Sequence, residues 1–234
     1  MHQYDFYEPR VEGMKLRKGS SAFLGLWFSS DYRKEFALDV EAEYGARFST
    51  DDLRVFSLSV KPRYRFNDKF TMEYRMKWDR QLDDIGYVND EVIAGETNVY
   101  IGYRNTTYVE NKFSSNYIFN NKMSLSFRAR HYWAKAEYKS FGVLQDNGRL
   151  GSTDYSDNHD INFNTFNIDM VYLWRFAPGS ELAVVWKNSI SNSDDKIAHS
   201  FVNNLKDTFD ATRFNSLSIK LLYYIDYMSL KKRG

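Results

Sequence analysis

The chain has 234 residues, and its 32 Lys+Arg almost balance its 31 Asp+Glu, leaving a formal net charge of +1. This balance excludes a strongly basic nucleic-acid binder and a polybasic membrane anchor. Cysteine is absent, which excludes disulfide frameworks, thiolate metal sites and thiol catalysis. Aromatic residues make up 18% of the chain, far more than a disordered chain carries, and so the composition favours a β protein.

Residues 1–20 contain no continuous apolar stretch of about 7–15 residues, which a secretory signal requires. The sequence also has no run of about 18 apolar residues, the minimum for a transmembrane helix. If the protein is exported, we therefore expect its signal to have been removed or to lie on a part of the gene outside this sequence.

Apolar and polar side chains alternate along most of the chain, as they do in β-strands. In residues 36–48 the even positions are all apolar, from Phe36 to Phe48, whereas the odd positions include Asp39, Glu41 and Glu43. This alternation covers thirteen residues, and globular strands usually have about 5–6. The same pattern returns in residues 56–66, 70–79, 123–130, 166–176, 182–190 and 217–227, and residues 96–119 keep one apolar phase throughout.

The alternation predicts an all-β fold of about ten antiparallel strands, near residues 2–9, 20–30, 35–48, 52–66, 69–82, 96–119, 123–138, 161–176, 181–192 and 213–227. Short polar turns are predicted at 31–35, 67–69, 120–122 and 177–180, and a further turn at Ser49–Asp51. Long polar loops are predicted at about 80–96, 139–160 and 193–212. Short turns at one end and long loops at the other are typical of an antiparallel transmembrane β-barrel in a bacterial outer membrane.

Three observations favour a membrane barrel over a soluble lipocalin-like barrel or an extended β-meander. The strands reach the length of about 9–11 residues that crosses a bilayer at a tilt. Aromatic residues gather at the ends of the apolar tracks, like interfacial girdles. Folding neighbouring strands together also places Asp39 opposite Lys61, and Arg63 opposite both Ala37 and Glu73, so that charges on the polar faces are complementary.

Several stretches resemble the outer-membrane β-barrel domain of unknown function that follows a family-9-like carbohydrate-binding domain in Bacteroidota proteins. They are spread in order over nearly the whole chain, at residues 7–13, 29–38, 109–111, 123–133, 176–182, 185–187 and 221–227. The resemblance implies that residues 1–234 are the C-terminal part of a larger barrel, with a signal peptide and an N-terminal domain missing. It implies a carbohydrate link through that missing domain, and it supplies no catalytic residues.

The loop at 139–160 carries the residues that come nearest to a catalytic or metal-binding pattern. His159 and Asp160 end an acidic, amide-rich run, which suits an outer-membrane hydrolase, and Asp154, Asp157 and Asp160 offer oxygen ligands for calcium. A solvated loop explains the same residues. His131 lies on the apolar parity of its strand and is interpreted as a girdle or loop-base residue rather than as a metal ligand or a catalytic base. No catalytic residue, metal site or cofactor is predicted.

Charged side chains on the polar parity predict the lining of a barrel lumen. We expect them either to line a path for polar solutes or to pair with one another and plug the barrel. The predicted lumen residues are Asp39, Glu41, Glu43, Lys61, Arg63, Arg65, Glu73, Arg75, Lys77, Arg128 and Arg130, with Arg54 on the same basic side. Residues 196–209 have apolar side chains at i, i+4 steps, which predicts a short amphipathic helix in the last long loop.

We therefore expect an outer-membrane protein that takes part in binding or uptake of glycan-type or other polar solutes, without catalysis in this segment. One alternative is a structural accessory barrel in a larger outer-membrane complex, and another is a hydrolase with its site in the 139–160 loop. The expected partners are outer-membrane lipid and lipopolysaccharide, with glycans and other outer-membrane proteins as further candidates. Nucleic acid is not an expected partner.

Overall fold

The computed structural model describes residues 3–48 and 51–225, and antiparallel β-strands dominate it. A small two-stranded sheet pairs β1 (Gln3–Asp5) with β2 (Leu16–Lys18). A large ten-stranded sheet holds every other strand. Its members are β3 (Ser20–Ser29), β4 (Phe36–Phe48), β5 (Arg54–Asn67), β6 (Phe70–Ile93), β7 (Glu96–Asn120), β8 (Met123–Leu144), β9 (Leu150–Gly151), β10 (Ile161–Ala177), β11 (Ser180–Asp194) and β12 (Arg213–Leu222).

The large sheet is an antiparallel meander. Nine strands follow one another in the order β3-β4-β5-β6-β7-β8-β10-β11-β12, and the short β9 pairs with β8 beside this path. Because each strand reverses the direction of its neighbour, the four short turns predicted at 31–35, 67–69, 120–122 and 177–180 lie together at one end of the sheet, as predicted. The first and last strands of the path, β3 and β12, run in the same direction. They are its two edges, and among the described residues they do not pair with each other.

The register divides the large sheet into two faces of opposite character. The apolar face carries the even residues of β4 and β10 and the odd residues of β8, so that Ile168 lies opposite Ala129. The polar face carries the alternate residues, and there Asp169 lies opposite Arg128. The predicted pairs are all present: Asp39 opposite Lys61, and Arg63 opposite Ala37 and Glu73. The alternation of apolar and polar residues in the sequence therefore predicts which side chains share a face of the sheet.

Two strands continue into segments that were predicted as loops: β6 extends into the loop predicted at 80–96, and β8 continues to Leu144 in the loop predicted at 139–160, where the short β9 also lies. The loop predicted at 80–96 is mostly strand, because β6 continues to Ile93 and β7 starts at Glu96, which leaves Ala94 and Gly95 as the turn. Both turn residues have positive φ, 53° and 87°. A bulge marked by Asp83, with φ 57°, adds a residue to β6. Since one extra residue reverses the phase of alternation, the sequence pattern is lost there.

The predicted strand at 2–9 is also corrected. Only Gln3–Asp5 is extended, and it pairs with β2 outside the large sheet. Parts of three predictions lie outside the described residues: the first residue of this strand, the turn at 49–50, and the end of the last strand at 226–227. No helix within residues 3–48 and 51–225 combines the length and the apolar character needed to cross a membrane.

The predicted helix in the last long loop is confirmed as α1 (Phe201–Asp210). Ser200 caps its N-terminus, since the hydroxyl accepts from the backbone N–H of Asn203. The helix packs on the apolar face at its long-loop end. Phe201 contacts the rings of His131 and Trp133, with centroids 5.6 and 6.1 Å apart. The position of His131 on the apolar parity is thus confirmed, and the ring is buried.

Residues 3–18 form a segment that packs against the part of the β6–β7 hairpin extending beyond β5. Leu16 is fully buried there in a cluster with Ile85, Val99, Ile101 and Leu144. A backbone contact adds to this packing, since the N–H of Tyr87 donates to Oε1 of Glu8 over 2.9 Å. The extended hairpin and the N-terminal segment therefore stabilise each other at the long-loop end of the sheet.

Asp5 anchors this N-terminal segment through its ionised carboxylate. Although partial burial raises its pKa, hydrogen bonds from Lys18 Nζ (2.8 Å) and from the backbone N–H groups of Glu8 and Tyr7 lower it to about 2, from 3.8. A carboxyl group whose pKa is lower in the folded than in the unfolded state stabilises the folded state at pH values above its unfolded pKa. This contribution is lost as the pH falls from about 4 to 2. We expect hydrogen-exchange protection of residues 16–18 to weaken over that range.

Asp5→Asn should remove most of this pH dependence and weaken docking of the segment by on the order of 1 kcal/mol, a figure reduced for partial exposure. Glu12→Gln is the matched control, because Glu12 is an exposed acid in the same segment. Equal loss of protection in both variants would contradict the role assigned to Asp5.

Candidate functional site

The polar face of the large sheet brings the predicted lumen residues together. Asp39, Glu41 and Glu43 lie on β4, with Lys61, Arg63 and Arg65 on β5, Glu73, Arg75 and Lys77 on β6, and Arg128 and Arg130 on β8. Arg54 is the exception, because it lies in register with Ala46 and Leu82 on the apolar parity, where it forms a 3.4 Å ion pair with Asp83. Arg54 is therefore removed from the predicted lining.

At the short-turn end, the charges hold the turn between β3 and β4. Asp39 accepts from the Tyr32 hydroxyl and, over 2.8 Å, from Ser29. Arg63 donates to the backbone oxygen of Tyr32 over 2.6 Å and lies over its ring at 4.3 Å. Arg65 donates in the same way to the backbone oxygen of Arg33. These side chains have structural partners, which the sequence pattern does not identify.

Further from that turn, acids and bases on neighbouring strands pair diagonally. Lys61 and Glu73 are 3.5 Å apart, and Arg130 and Glu110 are 3.7 Å apart. Within β6 itself, Lys77 pairs with Asp79 over 2.8 Å. Because these pairs are partly exposed, each contributes little to stability, typically below about 1 kcal/mol. Their main effect is to fix the positions of long side chains on the polar face.

A row of three cations crosses the middle of the polar face. Arg75 lies opposite Lys112, and Lys112 lies opposite Arg130, on three consecutive strands. Like charges directly opposite on antiparallel strands are destabilising. Neither Arg75 nor Lys112 forms an ion pair within the described part of the chain, so this basic row is only partly neutralised. Sequence reasoning missed Lys112, because the alternation in residues 96–119 was followed only through its apolar positions.

Two acids of the predicted lining also stay unpaired. Glu41 and Glu43 are exposed on β4 and have no ion-pair partner among residues 3–48 and 51–225. They lie opposite Trp27 and Gly25 of the edge strand β3. The polar face therefore has an acidic stripe near one edge and a basic row near its centre, separated by the paired charges of β5 and β6.

A second polar cluster, at the long-loop end, was not predicted. Arg104 donates to Asp84 over 2.9 Å and to the Tyr138 hydroxyl over 2.9 Å. Nearby, the rings of Tyr100 and Tyr155 stack with centroids 4.2 Å apart. Arg104 lies against Gly86 and Tyr138 against Gly102, and a Cβ on Gly86 would meet the Arg104 guanidinium at 2.3 Å. The small residues of the extended hairpin thus make room for the arginine.

The 139–160 segment does not assemble a hydrolase constellation. Nε2 of His159 shares a 2.6 Å hydrogen bond with the Tyr155 hydroxyl. Oδ1 of Asp160 accepts the backbone N–H of Tyr138 over 2.7 Å. The two residues therefore have separate structural partners. Within the described ranges no group of three or more His or acidic residues is close enough to hold a metal ion, so the three aspartates of this loop do not converge.

Comparison with known proteins places the chain in a family. A search of curated proteins finds no match. The model of one family, described as "Domain of unknown function (DUF5916)", matches residues 1–234, the full length of the sequence. This chain therefore belongs to the DUF5916 family of domains of unknown function.

Proposed function

We propose that the large sheet is part of a transmembrane β-barrel in a bacterial outer membrane, and that its polar face lines a path for glycan-type or other polar solutes. The observation that carries the proposal is the exposed apolar face. On the edge strands, Leu24, Leu26, Leu217 and Ile219 are 66–69% exposed. A soluble sheet buries such a face under a second layer, but here α1 covers only one end of it within the described residues.

The height of the apolar face fits a bilayer. On β6 the apolar alternation runs from Phe70 to Trp78, nine residues, and on β10 it runs from Phe166 to Trp174, also nine. A tilted strand crosses the hydrocarbon core in about 9–11 residues. Lipid would remove this face from water, at a gain of roughly 25 cal/mol per Å² of apolar surface. Outer-membrane lipid and lipopolysaccharide are thus the proposed partners of this face.

Aromatic rings gather at the short-turn end of the same face, where an interfacial girdle is expected. They form a chain of ring contacts across β5, β6 and β7, with centroids 4.6–5.7 Å apart. The chain runs through Tyr64, Phe66, Phe70, Tyr117 and Phe119. Tyr and Trp prefer the level of lipid headgroups because their rings are amphipathic, and this arrangement supports a membrane boundary at that end.

Strand direction supports a barrel larger than this sheet. Nine strands lie along the path, so β3 and β12 are parallel to each other. Bacterial outer-membrane barrels have an even number of antiparallel strands, and direct closure of these two edges would instead form a parallel pair. We therefore propose that an odd number of further strands joins the two edges, in agreement with the C-terminal position that the resemblance implies.

The basic row gives the proposed path its selectivity. Arg75, Lys112 and Arg130 present three cations to the same region, and a ring or row of Arg and Lys favours anionic solutes in a pore. Partly satisfied guanidinium and ammonium groups also donate hydrogen bonds to hydroxyls and carboxylates. Polar solutes rich in hydroxyl or carboxylate groups are therefore the class that this face suits best.

Electrical measurements on the full-length protein in planar bilayers test this proposal. We expect open channels with an anion preference, and we expect the double variant Arg75→Gln/Lys112→Gln to reduce the anion-to-cation permeability ratio by about twofold or more. Arg33→Gln is the control, because Arg33 is an exposed cation in the short turn and pairs with Asp31. An unchanged ratio in the double variant would contradict the role of the basic row.

A structural accessory barrel is the second candidate. The observation that favours it is the pairing of polar-face charges with one another and with the β3–β4 turn, as in Lys61–Glu73 and Arg63–Tyr32. Such a network stiffens a barrel and narrows its lumen. Membrane insertion without any conductance, together with co-purification of other outer-membrane proteins, would favour this function over solute uptake.

A further inference from the structure

We infer that a groove on the apolar face, at its long-loop end, binds a phosphate group of lipopolysaccharide, the glycolipid proposed above as a partner of this face. The inference rests on the proposed membrane barrel and names the part of the lipid that is recognised. The groove encloses a cavity of about 340 Å³ between β6, β7, β8 and the start of α1. Its lining includes Trp78, Arg80, Thr107, Trp133, Lys135 and Phe201.

The groove lies where the apolar alternation gives way to charge. The last apolar row across β6, β7 and β8 consists of Trp78, Val109 and Trp133. The next row toward the long loops, on the same three strands and the same face, consists of Arg80, Thr107 and Lys135. Tryptophan prefers the boundary between hydrocarbon and headgroups. In the proposed membrane the second row would therefore lie at the level of lipid phosphates.

The two ends of the apolar face differ in charge. On β5 to β8, the lysines and arginines of the apolar parity are Arg54, Arg80 and Lys135, and all three lie toward the long loops. At the opposite end the same parity finishes in the aromatic chain from Tyr64 to Phe119. A phosphate-bearing lipid is therefore matched by the long-loop end of the face and not by the short-turn end.

The two cations of the groove have donors to offer. Arg80 is exposed and forms no ion pair with the described part of the chain. Nζ of Lys135 donates to the carbonyl oxygen of Ala198 over 3.1 Å and lies 5.2 Å from the centre of the Trp133 ring. Because an ammonium group has three N–H donors, Lys135 keeps donors for a ligand. Thr107, on the strand between the two cations, adds a hydroxyl.

The spacing of the cations suits one phosphate. Neighbouring strands lie about 4.8 Å apart, so the backbones that carry Arg80 and Lys135 are about 10 Å apart. Two long side chains can close that distance around a phosphate group, and phosphate oxygens accept charge-assisted hydrogen bonds from both cation types. The aromatic row beside them would contact the first part of the acyl chains.

The charges around the groove favour an anionic glycolipid over a zwitterionic phospholipid. Arg54 and Lys139 share the carboxylate of Asp83 beside it, so this region of β5 to β8 carries more bases than acids. Glu137 lines the groove one row further out, opposite Asn105. A carboxylate and an amide there suit the hydroxyls of a phosphorylated sugar. The long loops of a bacterial barrel face the exterior, where the outer leaflet holds lipopolysaccharide.

Native mass spectrometry of the full-length protein in detergent micelles, with bisphosphorylated lipid A as the titrated probe, tests this inference. We expect Arg80→Gln/Lys135→Gln to weaken lipid A binding by about tenfold or more. Lys69→Gln/Lys122→Gln is the matched control, because it removes the same charge from two exposed residues of the short turns, and it should change binding less than about twofold. Dephosphorylated lipid A keeps the sugars and acyl chains and should bind the unmodified protein about tenfold more weakly.

Further measurements separate the possible failures. Arg80→Gln alone leaves the hydrogen bond from Lys135 to Ala198 in place, so weaker binding in this variant as well would support direct contact with the phosphate. Equal lipid A binding by the double variant and the unmodified protein would overturn this inference, and so would equal binding of dephosphorylated lipid A. The proposed path would then stand if the protein still conducts in planar bilayers.

Two other outcomes concern the lipid and the membrane. Dioleoylphosphatidylglycerol is an anionic phospholipid without phosphorylated sugars, and binding as tight as that of lipid A would overturn the assignment to lipopolysaccharide. Lipid A binding that depends on Arg80 and Lys135, in a protein that does not insert into lipid vesicles, would keep the groove as a phosphate site and overturn the proposed barrel.

Discussion

Ala129→Lys is expected to lower the free energy of unfolding in lipid by about 2–4 kcal/mol, the cost of a lysine facing lipid near the middle of a bilayer. Ala129 lies near the centre of the apolar alternation on β8, opposite Phe113 and Ile168 on the apolar face. Its methyl group is small, so the substitution adds a charge without deleting a large side chain. Urea titration of the protein folded into lipid vesicles, followed by tryptophan fluorescence, measures the change.

Two control variants identify the environment of this position. Ser126→Lys places the same charge on the polar face of the same strand, opposite Asn116 and Val171, and should change the unfolding free energy by less than about 0.5 kcal/mol. Ala129→Leu should be tolerated in fluid lipid, whereas overpacking a protein core costs about 1–3 kcal/mol. Strong destabilisation by the leucine would mean that packed protein covers the apolar face, and the membrane proposal would then be wrong.

The sequence is most informative where alternation is uninterrupted. From β3 to β5, in β8 as far as residue 138, and from β10 to β12, period-two patterning predicts the strands, the short turns and even the facing pairs, such as Asp39 with Lys61. This success has a physical reason. A shift of register by one residue would turn every apolar side chain of a strand onto the opposite face. The alternation therefore excludes such shifts, because they would mix apolar and polar side chains on each face of the sheet.

Prediction fails where the backbone departs from regular strand geometry. The bulge at Asp83 reverses the phase of β6, and so the extended hairpin was predicted as a loop. The N-terminal segment has no alternation, because its packing depends on single contacts such as Leu16 in the buried cluster. Short-range periodicity carries no information about such contacts, which join residues distant in sequence.

The candidate sites, like the fold, are predicted where they follow from alternation and are missed where they depend on contacts between distant residues. Alternation predicts which side chains share the polar face, but it does not predict that Arg63 contacts the turn at Tyr32. Nor does alternation predict a cavity between Arg17 and Asp51, because its lining comes from four parts of the chain: β2, the residues before β5, the β6–β7 hairpin and the turn before β9. The one sequence signal near it is Gly148, which lies in a polar turn and gives no indication of its neighbours.

A second large effect on stability is expected from proline substitutions in β12, one of the two edge strands of the sheet. In a strand with two neighbours, consecutive backbone N–H groups donate to opposite sides, whereas an edge strand uses only alternate ones. β12 pairs with β11 through Ser218 opposite Val185 and Ile219 opposite Val184. If a further strand joins this edge, Ser218→Pro and Ile219→Pro should each remove a ladder hydrogen bond. Each should then lower stability in lipid by about 1–3 kcal/mol.

Comparison of the two proline variants in the full-length protein, folded into lipid vesicles, decides whether the edge is paired. Ser218→Ala and Ile219→Ala are the controls for loss of the side chains. A free edge would tolerate one of the two prolines, namely the one whose N–H faces away from β11, because proline is compatible with exposed edge positions. A paired edge would tolerate neither. Tolerance of one proline would therefore contradict the larger barrel, since a bilayer leaves no backbone donor unsatisfied at low cost.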